Sequence, residues 1–517
     1  MEQRVLPGPD ALPIVYVRGY AGGTSSIEKA VMDPFYGFNE GSTHVRVQSD
    51  DSPAFFQFES PLLRLHLDHG YKILVAGDQL AYLETEQDIP ADSIWIHRFY
   101  DASAGTWGGP PRDYSLERAA EDLLALIEKI QQKTGAPRVH IVAHSMGGLI
   151  ARCLIQKIIP DRRPGRRATD YVDKLFTYGT PHGGITFAVG FGIPEALRDA
   201  FGIDQADVFG PRRMYEYLTP AAEFDPSGPP EDWQAREMPD GPEDFPHERV
   251  FCLVGTNPKD YDAAHGLSAA AVGASSDGLV QIENAQVPGA HRAFVHRSHS
   301  GRCGLVNSEE GYQNLRRFLF GDLRIDAALT GLTLPTEDED IKWQAEVRLS
   351  VRGLIIVTHE QLARHWCPIQ LPKPTPGDPR PDVALTTTFL SRGLTRPDGT
   401  DTLRYALHLK VLSQREHHGL LRFLDHLEQI ADFDDILIID VRAARGGLQT
   451  WASWNSEVEG LIKDLKPTDD PVGDPLDDED PAERSWVAHI RLPKTAEALL
   501  GAGARVRLTV TPWNLPV

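Results

Sequence analysis

Apolar and polar positions follow two different periods along this chain, and the change of period divides it. In the first half, short apolar runs are separated by stretches with three- and four-residue steps. Residues 13–17 form a compact apolar run ended by Gly19, which predicts a buried strand. Residues 93–99, 138–143, 174–178 and 249–254 read the same way. Between them, Leu116, Ala119, Ala120, Leu123, Leu124, Ile127 and Ile130 lay one apolar stripe along residues 115–133. That spacing predicts a helix, stopped by Gly135 and Pro137. Further helices are predicted over 147–159, ending at Pro160, and over 308–320. Strands alternating with helices imply an α/β fold, a mostly parallel sheet covered on both faces.

From about Gly321 the period becomes two. Trp343, Ala345, Val347, Leu349 and Val351 alternate with polar residues, as do Leu403, Tyr405, Leu407, Leu409 and Val411, and then Val506, Leu508 and Val510. Half-buried antiparallel strands carry that pattern, and residues 436–441 and 486–492 add two more. The expected organisation is an α/β domain over 1–320 and a mainly β domain over 321–517, built as an antiparallel sandwich. A linker is expected around 337–340, a helical interruption over 420–430 and a solvated Pro/Asp-rich loop over 469–483. Two insertions break the rhythm of the first half. Residues 34–61 are polar and read as irregular. Residues 184–247 are rich in Gly and Pro yet carry Phe187, Phe191, Phe201, Tyr215, Phe224 and Trp233. Long loops in compact domains are usually functional or disordered, and aromatics argue against disorder.

Composition narrows the function classes. The chain has 517 residues and a net charge of −22. Such an acidic protein is poorly suited to a nucleic-acid backbone or to a polybasic membrane anchor, so no nucleic-acid partner is expected. The spacing of Cys153, Cys252, Cys303 and Cys367 fits neither a disulfide framework nor a zinc site. No basic-then-apolar leader opens the sequence and no run of 18 apolar residues occurs, so a cytoplasmic location is expected, with signal-independent export left open.

The chemistry concentrates in Ala143-His144-Ser145-Met146-Gly147-Gly148, between a predicted strand and a predicted helix. A nucleophilic serine needs that order: a sharp strand-to-helix turn projects its Oγ, small residues relieve the crowded backbone, and the helix N-terminus favours developing negative charge. At these residues the sequence resembles the α/β-hydrolase lipases and esterases, and the A-H-S-M-G-G form resembles the small Bacillus-type lipases in particular. The resemblance implies an oxyanion hole made by the backbone N–H of Met146 and of Tyr20, the latter in Arg18-Gly19-Tyr20-Ala21-Gly22-Gly23, where Arg18 stands in place of the family's His. Tyr178-Gly179-Thr180-Pro181-His182-Gly183 resembles the T-P-H-x-G turn of these lipases.

In that fold the acid and then the base follow the nucleophile. Asp277, in a D-G-L-V segment, and His299, in the loop 296–301, fit this order and resemble the corresponding lipase motifs. Asp260 and Asp262 are the rival acids, and His296 and His291 the rival bases. The resulting expectation is a serine hydrolase with catalytic Ser145, Asp277 and His299, needing no cofactor and no metal. Its substrate would be a lipid or other long-chain acyl ester, with Phe187, Phe191 and Phe201 of a lid-like insertion meeting the acyl chain. Any peripheral membrane or protein contact would come through that insertion or the β domain. A small-ester esterase or thioesterase on the same residues is the first alternative. The second is a non-catalytic scaffold whose β domain binds a protein, a glycan or a membrane.

Overall fold

The structure, a computed structural model, describes residues 11–19, 31–33, 35–36, 38, 41–47, 52–58, 60–74, 79–101, 115–186, 206–261, 272–301, 303–335, 341–372, 382–391, 402–415, 429–444, 447–458, 473–480 and 485–514. It divides into two compact units. One comprises Arg4–Arg292 with His296–Leu315, and the other comprises Arg316–Val517 with Ala293–Val295.

The N-terminal unit carries a seven-stranded sheet, of which it contains everything but Ala293–Val295 of the last strand. Its strands are β1 (Ile14–Val17), β4 (Lys72–Ile73), β5 (Ser93–His97), β6 (Val139–His144), β7 (Val172–Tyr178), β8 (Val250–Gly255) and β9 (His291–Val295), ordered β4-β5-β1-β6-β7-β8-β9. Pairing is parallel from β4 through β8. The short apolar runs become these strands because both faces are covered: every residue of β1, β5 and β8 is buried. The predicted long helix spans Leu116–Thr134. Ser115 caps its start by accepting from the Arg118 N–H, and Gly135, at φ 71°, ends it with its N–H on the Gln131 carbonyl. Its stripe, Leu116 through Ile130, faces inward.

Two expectations for this unit are corrected. Residues 34–61 are not irregular throughout, because β2 (Ser42–Val47) and β3 (Pro53–Phe58) pair as an antiparallel hairpin. Val45, Val47, Phe55, Phe56 and Phe58 are strand-favouring residue types that the polar average of the segment concealed. Pro160 does not stop the helix after Ser145. Helix Met146–Cys153 passes through a π-helical turn, Leu154–Ile158, and continues as Ile159–Arg162. Proline lacks a donor and its ring crowds the carbonyl four residues back, and the widened turn before it gives that ring room.

The C-terminal unit contains β10 (Leu323–Thr330), β11 (Ile341–Val351), β12 (Val357–Gln361), β13 (Ile369–Gln370), β14 (Val383–Leu390), β15 (Thr402–Arg415), β16 (Gln429–Ala444), β17 (Gly447–Trp454), β18 (Asp474–Leu476), β19 (Trp486–Arg491) and β20 (Arg505–Pro512). They form a four-stranded sheet, β14-β10-β20-β19, and a larger sheet, β12-β11-β15-β16-β17-β18 with β13 also on β11. All the pairings within both sheets are antiparallel. Trp343, Ala345, Val347, Leu349 and Val351, the apolar face of β11, share one core with Ile325 and Leu329 of β10 and with Leu508 and Val510 of β20. Two sheets facing one core make the expected sandwich. Gln429 and Ile430, placed in a helix by sequence, begin β16, and residues 420–428 lie outside the described set. The expected loop 469–483 contains the short strand β18, paired with β17. The linker at 337–340 lies outside the described residues.

Candidate active site

The carboxyl ends of β1, β6, β7 and β8 reach the same edge of the sheet, where open α/β folds bind ligands. Gly19 follows β1, Ser145 follows β6, Gly179 follows β7 and Thr256 follows β8. Ser145 is held at φ 54° and ψ −127°, a backbone state that L-residues avoid and that costs about 1–3 kcal/mol. Neighbouring groups fix it there. Its N–H donates to the Tyr178 carbonyl at 2.9 Å, and its carbonyl accepts from the Thr180 hydroxyl at 2.9 Å and from the Gly148 N–H at 3.0 Å.

The glycines of the motif are explained by contact. A Cβ on Gly147 would lie 2.3 Å from the Val17 carbonyl oxygen and 2.4 Å from that of Arg18, and a Cβ on Gly148 would lie 2.1 Å from the Thr180 hydroxyl. A Cβ on Gly19 would lie 2.8 Å from the Ser145 Cβ. The elbow therefore closes onto the turn after β1 with no room for a methyl group. Ala143 is tolerated at the first position of the motif: it is buried in β6, in register with Val17 and Thr177.

The structure brings Ser145, His299 and Asp277 into one hydrogen-bonded chain. His299 Nε2 is 2.9 Å from Ser145 Oγ, and His299 Nδ1 is 2.8 Å from Asp277 Oδ2. The N–H groups of Leu279 and Val280 donate to the other carboxylate oxygen, Asp277 Oδ1, at 3.0 and 2.8 Å, which aims Oδ2 at the imidazole. The His299 backbone N–H donates to the Asp277 carbonyl at 2.9 Å, tying the two loops together. All three side chains are buried. A serine hydroxyl, an imidazole within reach of it and a carboxylate on the far ring nitrogen are the parts that general-base activation of a nucleophile requires. The rivals lie elsewhere. Asp260 accepts from the Asn257 side chain, and His296 sits beside the Thr256 hydroxyl. His291 opens β9, and Asp262 lies outside the described residues.

Met146 is fully buried at the first position of the helix after Ser145. Tyr20, Phe187, Phe191 and Phe201 lie outside the described residues. Three further residues also shape the site. Tyr261 packs edge-on against the His299 ring at 5.7 Å, and burial raises its phenol pKa. Gly179, at φ 52°, brings the chain after β7 so close that a Cβ would lie 2.9 Å from Asp277 Oδ2. Thr180 holds the Ser145 carbonyl. A spacing rule does not say which loop each of them touches.

The described part of the aromatic insertion is fastened down. Arg152, on the helix after Ser145, is fully buried and donates to the His182, Ala235 and Glu237 carbonyls at 2.7–3.0 Å and to the Gln156 side chain. Burial pulls its guanidinium down to about 10. Lys157 donates to the Glu216 and Thr219 carbonyls. Tyr215, Phe224 and Trp233 form a cluster with centroids 5.3–5.4 Å apart. A cavity of about 400 Å³ opens beside Tyr215 and Trp233, and none of Ser145, Asp277 or His299 lines it. No helix among the described residues is long and apolar enough to cross a membrane.

Residues 58–303 match the family model described as the alpha/beta hydrolase family. A comparison with curated proteins finds no match. Similar solved structures include the mature form of a Bacillus licheniformis lipase, 17% identical, covering 58% of this chain and 89% of that one with a TM-score of 0.30. They also include a Listeria innocua gene product, 14% identical, covering 60% of this chain and 94% of that one with a TM-score of 0.26. The matched segment, with the parallel sheet of its unit, is an α/β-hydrolase domain.

Proposed function

We propose that the chain hydrolyses carboxylic esters through Ser145, with His299 as base and Asp277 as its partner. The observation that carries this is the continuous chain Ser145 Oγ, His299 Nε2, His299 Nδ1 and Asp277 Oδ2, at 2.9 and 2.8 Å, on a strained turn. Ser145 Oγ attacks the ester carbonyl carbon while its proton passes to His299 Nε2. Asp277 holds the other ring nitrogen and stabilises the imidazolium. The carbonyl oxygen becomes an oxyanion, for which the Met146 and Tyr20 N–H groups are the proposed donors. His299 then returns the proton to the departing alcohol. Water, activated by the same imidazole, resolves the acyl-enzyme and restores Ser145.

The acyl group is proposed to be long or lipid-derived. The support is the lipase-like form of the elbow and the aromatic residues of the insertion, with Phe187, Phe191 and Phe201 as the acyl contacts. Labelling with a fluorophosphonate tests the chemistry: the protein should take up one label, and Ser145→Ala none. A wild type that stays unlabelled, or a variant that labels equally, overturns the nucleophile. p-Nitrophenyl esters of increasing chain length test the substrate, with a rising kcat/KM expected. A sharp optimum at the shortest acyl group would make the chain a small-ester esterase instead.

A further inference from the structure

His144 is the residue immediately before the proposed nucleophile, at the end of β6. Successive side chains at a strand end diverge, so His144 cannot share the role of His299 as base. Its ring nevertheless reaches the base loop. His144 Nε2 lies 3.0 Å from the backbone carbonyl oxygen of His299, and the two imidazoles pack with centroids 5.0 Å apart at 40°. A carbonyl oxygen only accepts, so Nε2 carries the proton and His144 is the donor. On its other side the ring lies against the turn after β1, where a Cβ on Gly19 would be 3.1 Å from His144 Nδ1. Burial first, and then the neighbouring His299 ring, push His144 down to about 3. It therefore stays neutral when its neighbour turns cationic during the reaction, and no second positive charge opposes that step.

We infer that His144 is a positioning residue that holds the base loop at the nucleophile by hydrogen bonding the backbone of His299. The inference rests on the proposed roles of Ser145 and His299. Its physical content is that the nucleophile and the base are joined twice. The Ser145 Oγ to His299 Nε2 bond must break and reform in each cycle. The His144 to His299 carbonyl bond does not take part in the chemistry and persists while the first one exchanges. Asp277 fixes the base from one side, through the ring nitrogen and the backbone N–H of His299. His144 fixes it from the other, through the carbonyl. Removing one of two opposed ties lets the imidazole shift relative to Oγ, and misplacement by about 1 Å costs on the order of 100-fold in rate.

Three variants separate this from a packing role. His144→Phe keeps a ring and loses the donor, His144→Gln keeps an amide N–H able to reach the same carbonyl, and Ser145→Ala controls for the label. The readout is the rate constant of fluorophosphonate labelling and its final stoichiometry, with thermal unfolding midpoints measured alongside. His144→Phe should label about 10- to 100-fold more slowly while reaching full stoichiometry, with ester KM near the wild-type value and the loss confined to kcat. His144→Gln should recover most of the labelling rate whatever its thermal midpoint. Labelling by His144→Phe at the wild-type rate overturns the inference. So does a His144→Gln variant as slow as His144→Phe, because the ring and not the donor would then matter. A wild type that takes no label at all is a separate result, which removes the Ser145 reading and this inference with it.

Discussion

Gly147 leaves no space for a methyl group: the Val17 and Arg18 carbonyl oxygens would stand 2.3 and 2.4 Å from its Cβ, and both are backbone atoms. Gly147→Ala should therefore cost about 1–3 kcal/mol or more in stability, read as a lower denaturant midpoint at unchanged slope. It should also lower the fluorophosphonate labelling rate by displacing the elbow. A midpoint equal to wild type would show that the turn after β1 yields easily. Asp277 is itself held in orientation, since its Oδ1 is pinned by two N–H groups and its Oδ2 meets His299. Asp277→Asn keeps the shape and places an amide where an acceptor is required. It should lower kcat by about 10⁴-fold with little change in KM. Loss of only a few-fold would point to another acid. At this scale the sequence was informative where a residue type is dictated by its own chemistry. Ser145, Asp277 and His299, which the structure joins by hydrogen bonds, were all candidates from motif and order. Tyr261 was not, because nothing in its local sequence says which distant loop it touches.

At the scale of elements, single buried cations hold segments in place. Arg152 satisfies three carbonyls from the T-P-H turn and from the insertion, with no carboxylate among the partners in the described structure. Arg152→Leu would leave those carbonyls buried without a donor, at about 1–3 kcal/mol each. Residues 233–239 should then exchange amide hydrogens faster and be cleaved earlier in limited proteolysis. Unchanged protection there would mean that the Tyr215, Phe224 and Trp233 cluster suffices. In the sandwich, Arg404 of β15 pairs with Asp440 of β16 through two bonds, at 2.8 and 2.7 Å, both side chains being buried. Asp440→Ala removes both of these charge-assisted bonds from the buried guanidinium and should destabilise the β unit by about 3–5 kcal/mol. A smaller loss would mean that water reaches Arg404. The long helix 116–134 and strands β11, β15 and β20 were legible because their apolar period ran over many residues. The β2–β3 hairpin, β16 starting at Gln429 and the helix continuing past Pro160 were not. Those depend on a pairing partner or on a widened turn, neither of which local composition encodes.

Across the whole molecule, the perturbed histidines fall in the hydrolase unit. Burial pushes His97 down to about 4, and His140 and His144 to about 3, from 6.5 in an unfolded chain. Between pH 6.5 and those values the unfolded chain binds protons that the folded unit refuses. The stabilisation is thus complete above pH 6.5, is lost progressively as the pH falls below 6.5, and is gone once the pH has passed through 4 and 3. Protein heated at about pH 7.5 or 4.5, returned to neutral pH and then labelled should lose labelling competence at a lower temperature in acid, by about 2–4 °C per kcal/mol lost. Equal midpoints would mean that these rings gain no protection from burial. The sequence by itself determined the change of period near Gly321, the α/β character before it, the β character after it and a short set of candidates for a serine, an acid and a histidine. Each of these follows from residue type and local spacing. Only the tertiary structure decided which histidine and which aspartate meet Ser145, because that choice lies in how the loops after β8 and β9 return to the end of β6. It alone showed that Gly147 and Gly19 are required by contact, that Arg152 pins the insertion, and that His144 reaches the His299 carbonyl. Those are distances between segments up to 155 residues apart, and no local pattern specifies them.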